Sequence, residues 1–518
     1  MIARWQILIL VLLCQFGWAQ QTPDFLQRNI SLKVDTLSLP SVLDSIGKQG
    51  GFYFSYSSKL VDAEAKVTMN AQRQAVQQVL ERLFPDNVRF KSKAKQVILY
   101  CVEDSIKEKI APEMIQLEGK VIDRRNGKPI PYVNIVIKNH LKGTITNVDG
   151  NYLFKIEPIH ANDTIIYSCL GYERLEYPVS ELANANKTIF LQTSMVQIPE
   201  IKVTYVDPED VIRKCIDRID SNYNNESVLL HSFFREMILV DHRYTGLSEA
   251  IIEILKRPVR TSINADALKV VKGRQSPFVK PHKYVNFKLM GSPYYMNQID
   301  LVKNPQTFLQ KETMPYYKYT FEEMVMHNDR PAYVIKFTPF DAAFYPLFKG
   351  KMYIDSYSYA LVYATFEMNR YSMRQMKNSF IRKETRNVRA RPVGISYTVS
   401  YVPMKGKWFL NTVKGDLKFR VRSRNKLFSS LFNAQTELLV TKRDFSVTHP
   451  FHRREAFRSR HILTEVLLEK DKGFWHSHNI IEPHSDLNEA LDKFQKSIKK
   501  SPTEKAMFQP FILHRLEN

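Results

Sequence analysis

Hydrophobic residues near the start of the chain alternate between the period of a strand and that of a helix. The segment "NISLKVD" has an apolar residue at every second position, and "LPSVLDSIGKQGG" then has them at helical spacing, with Pro40 in the first turn. Strand patterns return in "FYFSYS" and "KVTMN", and a second helical pattern stops at Pro85. With a closing hairpin in "VRFKSKAKQVILYCV", these patterns predict the order β-α-β-β-α-β over residues 29–102.

Beyond residue 205 the pattern predicts one helix followed by many strands. Pro208 begins a helical segment whose apolar side includes Cys215. Strong alternation in "LLHSFFREMI", "PAYVIKFTP", "GKMYIDSYSYALVYATFEMN", "GISYTVSYVPMKGKWFLNTVKGDLKFRVRS" and "TELLVTKRDFSV" predicts successive antiparallel strands. The predicted fold class is therefore multidomain and mainly β with α+β, ending in an antiparallel β-rich domain over residues 205–518.

Between these two regions the chain carries an ordered series of short motifs. They read "GKVID", "GKPI", "VNI", "GTITNVDGNYLF" and "IIYSCLGYE", from Gly119 to Glu173. The series resembles a carboxypeptidase regulatory-like domain, and the resemblance covers about residues 116–203. It implies a prealbumin-like β-sandwich of seven strands, which we assign to residues 115–204.

The β-α-β-β-α-β segment, assigned to residues 26–103, resembles the short N-terminal (STN) domain shared by secretins and TonB-dependent receptors. The resemblance implies a periplasmic docking module, and an unrelated small split βαβ domain is the alternative. Both segments together resemble the front end of TonB-dependent polysaccharide-uptake receptors, and "IPEIKVT" resembles the start of their TonB-contacting segment. The remaining roughly 310 residues are too few for a plug and a large barrel, so we expect an uncharacterised C-terminal domain.

One hairpin in that C-terminal domain, Met352–Met368, resembles hairpins of the half-barrel, lipoprotein-carrier superfamily. The resemblance implies a curved sheet around an apolar groove that is able to hold an acyl chain. The alternative is a sheet that packs on its own helices. A long apolar groove would favour a carrier function, whereas a filled sheet interior would favour an adaptor.

The first nineteen residues have the organisation of a secretory signal. Arg4 gives a positive start, Ile7–Leu13 is a short apolar run, and small residues predict cleavage after Ala19. Lipid attachment at Cys14 is disfavoured because the bulky Leu13 precedes it. No later segment has eighteen consecutive apolar residues, which predicts no transmembrane helix. We therefore expect the protein in the periplasm or at the periphery of the outer membrane.

Three cysteines remain after that cleavage, Cys101, Cys169 and Cys215, and none belongs to a C-x-x-C pair. This spacing argues against a disulfide framework and against a thiolate zinc site. We expect small buried hydrophobic side chains, and one disulfide among the three is left open.

The stretch "NVDG" has some of the spacing of a calcium loop. If Gly150 takes the sixth position of an EF-hand loop, Ile145 and Ile156 take the first and twelfth positions, and neither is able to bind calcium. We therefore predict a structural hairpin turn, in which Asn147 and Asp149 cap backbone amides with their side chains.

Two groups of histidines are candidate metal ligands. His452 and Glu455 form an H-x-x-E pattern, but neighbouring arginines would repel a divalent cation. A looser group comprises His476, His478, Glu482 and His484. It has the donors for zinc or copper, although histidines on a surface loop are the favoured interpretation. Since the chain has neither G-x-S-x-G nor a phosphate loop, we predict no catalytic residue, no cofactor, no metal and no enzyme.

The formal charge of +22 is concentrated in one part of the sequence. Sixteen basic residues lie between Arg370 and Lys426, opposed only by Glu384 and Asp416. Within "LKFRVRSRNK" the basic residues share one predicted strand face, namely Lys418, Arg420, Arg422 and Arg424. A solvated face that resists edge aggregation is one interpretation, and a site for a phosphate-bearing envelope surface is the other.

These patterns together predict a non-enzymatic, exported cell-envelope protein that acts as a binding or adaptor module. Envelope proteins, anionic lipid and lipopolysaccharide are the expected partners, with peripheral membrane association. Nucleic acid is not expected because the compartment is wrong. The first alternative is a half-barrel carrier of lipid or lipoprotein acyl chains, and the second is a component of glycan uptake associated with a TonB-dependent receptor.

Overall fold

The structure of the protein is a computed structural model. It describes residues 25–56, 65–84, 88–93, 96–101, 114–183, 186–194, 206–276, 289, 291–305, 308–340, 348–375, 388–423, 428–446, 451, 455–466 and 478–499. The predicted signal segment, His452, His476 and Arg424 lie outside these residues. The chain divides into two compact units, Met1–Pro112 and Glu113–Asn518. Its mainly β, multidomain architecture agrees with the predicted fold class.

The first unit has the predicted order of elements. They are β1 (Asn29–Ser38), α1 (Leu39–Gly50), β2 (Tyr53–Ser55), β3 (Lys66–Ala75), α2 (Val76–Leu83), β4 (Val88–Lys93) and β5 (Gln96–Cys101). β1 pairs with β3, and β2, β5 and β4 form a second sheet. Pro40 lies in the first turn of α1, and Gly51 ends it in the left-handed conformation at φ 71°. The apolar faces of both helices are buried in one core with β1 and β3.

The sandwich opens the second unit and has the seven strands that the resemblance implied. They are β6 (Ile115–Asp123), β7 (Asn134–Ile137), β8 (Gly143–Ile145), β9 (Asn151–Ile156), β10 (Thr164–Ser168), β11 (Leu175–Pro178) and β12 (Lys187–Leu191). One sheet has the order β11-β10-β7-β8 and the other β12-β6-β9. Their inner faces share an apolar core, within which the hydroxyl groups of Tyr152 and Tyr167 are 2.8 Å apart.

A ten-stranded antiparallel sheet dominates the rest of the second unit. Its elements are α3 (Pro208–Asp217), α4 (Ile219–Asn222), β13 (Val228–Val240), β14 (Arg243–Lys256), β15 (Ala267–Ser276), α5 (Ser292–Gln298), β16 (Tyr317–His327), β17 (Arg330–Pro339), β18 (Phe348–Asp355), β19 (Leu361–Met368), α6 (Arg370–Gln375), β20 (Val388–Met404), β21 (Lys407–Ser423), β22 (Ser430–Asp444), α7 (Leu463–Val466) and α8 (Ser485–Lys499). The strands follow the order β15-β14-β13-β22-β21-β20-β19-β18-β17-β16. The predicted strands pair as expected, while β14, β15 and β16 were not predicted.

One face of this sheet, here called the core face, is filled by side chains of the protein itself. A continuous apolar cluster joins its strands to α3, α5 and residues 299–305 and 308–316. Within that cluster the Phe308 ring stacks on Phe337 with centroids 4.5 Å apart and meets Phe366 edge-on. The sheet therefore packs on its own helices, which was the alternative to an open acyl groove.

The opposite face, here called the outer face, meets the sandwich and the segment 478–499. Ile145 of the sandwich packs with Phe233 and Leu439 of the sheet and with Ile480 and Ile481 of that segment. These contacts join the sandwich and the sheet through a small apolar cluster.

Two further observations bear on membrane and redox chemistry. Among the described helices, none combines the length and apolar character that a membrane span needs. Cys169 and Cys215 are free thiols, and Cys215 is buried on the inner side of α3. The side chain of Cys101 is outside the described residues.

Candidate functional site on the outer face of the sheet

The Asp149-Gly150 turn joins the sandwich to the C-terminal helix. Asn147 caps the turn as predicted, because its Oδ1 accepts hydrogen bonds from the amides of Asp149 and Asn151, both at 2.9 Å. Asp149 has a different role from the predicted one, since its Oδ2 accepts from the amide of Ser485 at 2.6 Å. Ser485 is the first residue of α8, so a carboxylate 336 residues away caps that helix.

Gly150 is required at this turn for two reasons. Its φ of +77° lies in the left-handed region, and a Cβ atom there would come 2.5 Å from the carbonyl oxygen of Val121. The turn is therefore a structural device that brings Asn147 and Asp149 to the segment that precedes α8. The Asn147 side-chain amide also donates to the Pro483 carbonyl at 3.3 Å.

The described members of the predicted histidine group, His478, Glu482 and His484, are partly buried at this junction and do not lie on an exposed surface loop. His484 is partly buried, and its Nε2 is 2.7 Å from the hydroxyl of Tyr244. Burial lowers the pKa of His478 to about 4 and raises the pKa of the Glu482 carboxyl. Among the described residues these side chains do not form a group of metal-ligand atoms. Glu455, from the H-x-x-E pattern, forms an ion pair with Lys269 at 3.0 Å.

A cavity of about 1190 Å³ opens on the outer face beside this junction. Strands β13, β20, β21 and β22 form its floor, and Tyr132 of the sandwich and Glu489 of α8 contribute to its walls. Polar and charged side chains line much of it, including Arg235, Lys414 and Glu437. Apolar side chains such as Met237 and Leu239 alternate with the charged ones, so the lining is not the continuous apolar groove that an acyl chain requires.

A buried network of charges lies at one side of the cavity. The Arg235 guanidinium contacts the Glu249 carboxylate at 2.7 Å and Glu437 at 3.4 Å, and Arg274 contacts Glu249 at 2.6 Å. Burial alone would raise the pKa of Glu249, but the positive charges of Arg274 and Arg235 hold it below its ordinary value. Arg235 also donates to the carbonyl of Ile481, so this network fixes the segment that leads into α8.

Lys414 stands partly buried in the floor of the cavity. Burial holds the pKa of its ammonium group well below the usual range, although Glu437 opposes it across the strand pair. The ammonium lies over the ring of Tyr132, a cation–π contact between the sheet and the sandwich. From Lys414 the outer face continues along β21 through Asp416 towards the predicted basic row.

That row alternates as predicted. Phe419 and Val421 are buried on the core side, while Arg420 and Arg422 are exposed on the outer face. Lys418 is half-buried and forms an ion pair with Asp416 at 3.3 Å. Arg424, the fourth member of the predicted row, lies outside the described residues.

The strand register adds two arginines that were not assigned to the row. Arg391 lies directly opposite Arg420, and Arg389 lies directly opposite Arg422, across the β20–β21 pair. Directly opposed residues point to the same face of a sheet, and like charges so placed are destabilising. Within the described part of the chain, none of these four guanidinium groups has an ion-pair or hydrogen-bond partner. We refer to them below as the arginine pairs.

These pairs were not predicted, although all four arginines belong to the basic run between Arg370 and Lys426. Period two assigns residues to faces within one strand, but only the register of the hairpin decides which residues oppose each other. The hairpin turn at Lys405-Gly406, where both residues have positive φ, sets that register. The tight turn in "MKGKW" is the sequence feature from which the pairing of these arginines could have been predicted.

Comparisons with known proteins support one segment of the chain most directly. Residues 117–203 match the family described as the CarboxypepD_reg-like domain, within the predicted bounds of the sandwich. No curated protein matches the chain in sequence.

Three solved structures align with parts of the chain at low scores. A domain assigned to outer membrane lipoprotein sorting, from Vibrio parahaemolyticus, is 10% identical with a TM-score of 0.23, covering 47% of this chain and 95% of its own. A DUF1329 family protein from Desulfovibrio piger is 10% identical with a TM-score of 0.19, covering 47% and 96%. Lipovitellin is 8% identical with a TM-score of 0.22, covering 56% and 35%. Scores this far below 0.5 do not decide between an adaptor and a carrier, whereas residues 117–203 are similar to carboxypeptidase regulatory-like domains.

Proposed function

We propose that this protein is a non-enzymatic, exported cell-envelope protein that acts as a binding or adaptor module, and that its arginine pairs bind a phosphate-bearing anionic surface. The observation that carries the proposal is the direct opposition of Arg389 to Arg422 and of Arg391 to Arg420. Four exposed cations in two opposed pairs repel one another, by about 0.7 kcal/mol for two charges ~6 Å apart in water. A bound polyanion removes that repulsion.

Arginine is suited to this ligand because its planar fork donates two parallel hydrogen bonds to phosphate oxygens. The arginine pairs and Lys418 lie along two adjacent strands, so their charges form an extended patch and not a single pocket. An extended patch fits a surface that presents many phosphates, such as lipid A or anionic phospholipid headgroups. The resemblance of the first two segments to periplasmic modules supports an envelope location for that surface.

The filled core face supports an adaptor over a carrier. A carrier of acyl chains needs an apolar cavity, and the core face of the sheet is occupied by one continuous cluster that includes Phe308 and Phe337. The cavity on the outer face has charged walls and sits against the sandwich. The sandwich, the segment 478–499 and the sheet pack into one compact unit, and the arginine pairs lie on its surface.

Binding to vesicles tests this proposal. Each exposed cation near an anionic membrane contributes about 1 kcal/mol. The double variant Arg420→Gln/Arg422→Gln should therefore bind vesicles of lipopolysaccharide or phosphatidylglycerol roughly 30-fold more weakly, since about 1.4 kcal/mol is a factor of ten. Binding by the parent protein should fall steeply as salt is raised. Neutral phosphatidylcholine vesicles should bind neither protein.

A matched control separates the arginine pairs from net charge. Lys318→Gln/Lys336→Gln removes the same charge from exposed positions at the far end of the sheet. This control should retain most of the affinity of the parent. An equal loss of vesicle affinity in both double variants would show that net charge, and not the arginine pairs, causes binding. If the parent protein does not bind anionic vesicles at low salt, the proposed function is refuted. A preference for lipopolysaccharide over phosphatidylglycerol would identify lipid A phosphates as the target.

A further inference from the structure

A second group of polar side chains lies on the sandwich, where loops at one end of its strands converge. His140 follows β7, and His160 and Asp163 lie in the connection between β9 and β10. One ligand atom of each residue lies within 4.8 Å of those of the other two. Backbone bonds hold these loops, because the amide of His140 donates to Ile137 and the amide of Asp163 donates to His160, both at 3.0 Å.

The distances suit a small divalent transition metal. A tetrahedral zinc ion with ligands at about 2.0–2.1 Å places neighbouring ligand atoms about 3.3 Å apart. His140 Nε2 is 3.3 Å from Asp163 Oδ2, so one edge of that tetrahedron is already formed. His160 Nδ1 is 2.6 Å from the same oxygen, a hydrogen-bond distance that must open by about 0.7 Å when an ion replaces the proton.

A histidine that binds a metal through one ring nitrogen usually donates a hydrogen bond from the other nitrogen to a carboxylate or carbonyl, and His160 has such a carboxylate nearby. Its Nε2 faces the Glu157 carboxylate at 3.7 Å, while Nδ1 faces Asp163. A metal on Nδ1 leaves the ring proton on Nε2, and the Glu157 carboxylate, 3.7 Å away, accepts it after approaching by about 0.7 Å. Metal binding then requires only that the His160 ring proton moves from Nδ1 to Nε2. The neutral imidazole keeps its proton. Lys142 holds Glu157 in place through an ion pair of 2.6 Å.

The local charge and the solvent access of this site suit a cation better than those of the H-x-x-E pattern do. Asp163 and Glu157 place two negative charges beside the imidazoles, and Lys142 pairs with Glu157, whereas arginines flank the H-x-x-E pattern. The His140 side chain is 45% exposed whereas that of His160 is 15% exposed, which leaves one side of the group open to solvent. A metal ion is able to enter from this open side, where water or an external ligand would occupy the fourth coordination position.

We infer that His140, His160 and Asp163 form a binding site for zinc or a similar divalent transition metal, with Glu157 orienting His160. The donor set of two imidazoles and one carboxylate favours Zn²⁺, Cu²⁺ or Ni²⁺ over Ca²⁺ and Mg²⁺, which prefer oxygen ligands. This site lies on the sandwich, contains none of the arginine pairs, and is an alternative to the prediction from sequence that the chain has no metal site.

Titration of the untagged, chelator-treated mature protein with Zn²⁺ tests the inference. We expect one saturable equivalent, and the visible absorption of bound Co²⁺ should have the intensity of a tetrahedral site. His140→Gln should lower Zn²⁺ affinity more than tenfold and abolish the tetrahedral Co²⁺ spectrum. Glu157→Gln should weaken binding without abolishing that spectrum, since Glu157 does not contact the ion.

A matched control uses another histidine–carboxylate contact of the same unit. His231 lies 3.7 Å from Glu253 but has no third ligand in the described part of the chain, so His231→Gln should leave the Zn²⁺ affinity unchanged. His140 is exposed, and circular dichroism should show that His140→Gln folds as the parent does. The inference is overturned if the parent binds no Zn²⁺, if His140→Gln binds equally well, or if the Co²⁺ spectrum is octahedral.

Discussion

Substitution of Glu249 by Gln tests whether the charge network beside the cavity stabilises the second unit. The side chain of Glu249 has no exposed surface, and it lies between Arg235, which is 1% exposed, and Arg274. Gln has the same shape but no charge, and its NH₂ group has to face one of the two guanidinium groups. The variant therefore leaves a buried guanidinium without its carboxylate.

The expected loss of stability follows from that geometry. Breaking a buried ion pair by removing one partner costs about 3–5 kcal/mol. We expect the lower end, about 3 kcal/mol, because Glu437 remains 3.4 Å from Arg235. The pKa of Glu249 in the folded protein is lowered by Arg274 and Arg235, so its contribution is present above the unfolded pKa of about 4.3 and disappears as pH falls through the folded value. The difference between variant and parent should therefore be complete at pH 7 and shrink in acid.

Urea denaturation followed by tryptophan fluorescence measures this difference. Trp408 and Trp475, the tryptophans beyond the predicted signal, both belong to the second unit. Glu367→Gln is the matched control, because Glu367 also lies directly opposite its ion-pair partner, Lys349, on the neighbouring strand. Unlike Glu249, this pair is exposed: the Glu367 side chain is 55% exposed and that of Lys349 is 48% exposed. The control should lose about 1 kcal/mol or less. Equal losses in the two variants, or a loss in Glu249→Gln that is unchanged in acid, would refute the reasoning.

Two further predictions concern single carboxylates. Burial raises the pKa of Glu236 to about 7, so the parent should lose stability as pH rises from about 4.3 to 7, and Glu236→Gln should be more stable than the parent at pH 8 but not at pH 4. An equal effect at both pH values in urea denaturation would contradict this. Asp149→Ala removes the side-chain oxygen that caps α8 and should reduce hydrogen-exchange protection of its first turn, by about 0.5–2 kcal/mol. Asp486→Asn removes a charge from the same turn and should have a smaller effect; equal effects would assign the loss to the helix dipole alone.

The local pattern of the sequence was sufficient for most elements of the fold. Apolar spacing placed α1, α2 and α3 and the strands from β17 to β22, because apolar residues recur on the core-facing side of each element at its own period. β14 was not predicted because its outer face carries apolar and acidic residues in turn, namely Leu247, Glu249, Ile251 and Glu253. The sandwich and the charge network cover part of that face, so it lacks the uniformly polar character of an exposed strand face. Period two is obscured where both faces of a strand are partly buried.

Long-range pairings were not accessible from the sequence. Asp149 was correctly placed in a turn, but its partner Ser485 lies 336 residues away, and nothing in either segment specifies the other. The same holds for the metal-ligand group, since His140 and His160 meet only because β7 and β10 are neighbours in the sandwich. Residue types indicate which chemistry is available, whereas topology decides which of them meet.

The order of strands in the large sheet has a consequence for how the protein folds. Strands β13 to β15 pair in chain order, as do β16 to β22, so each group is able to form from local hairpins. The two groups meet only where β13 pairs with β22, for example at Arg235 and Glu437, 202 residues apart. Closing that contact carries a large entropic cost and awaits synthesis of β22. Until then β13 and β21 present unpaired edges, which makes a chain stalled before residue 430 prone to aggregation and a natural client for chaperones.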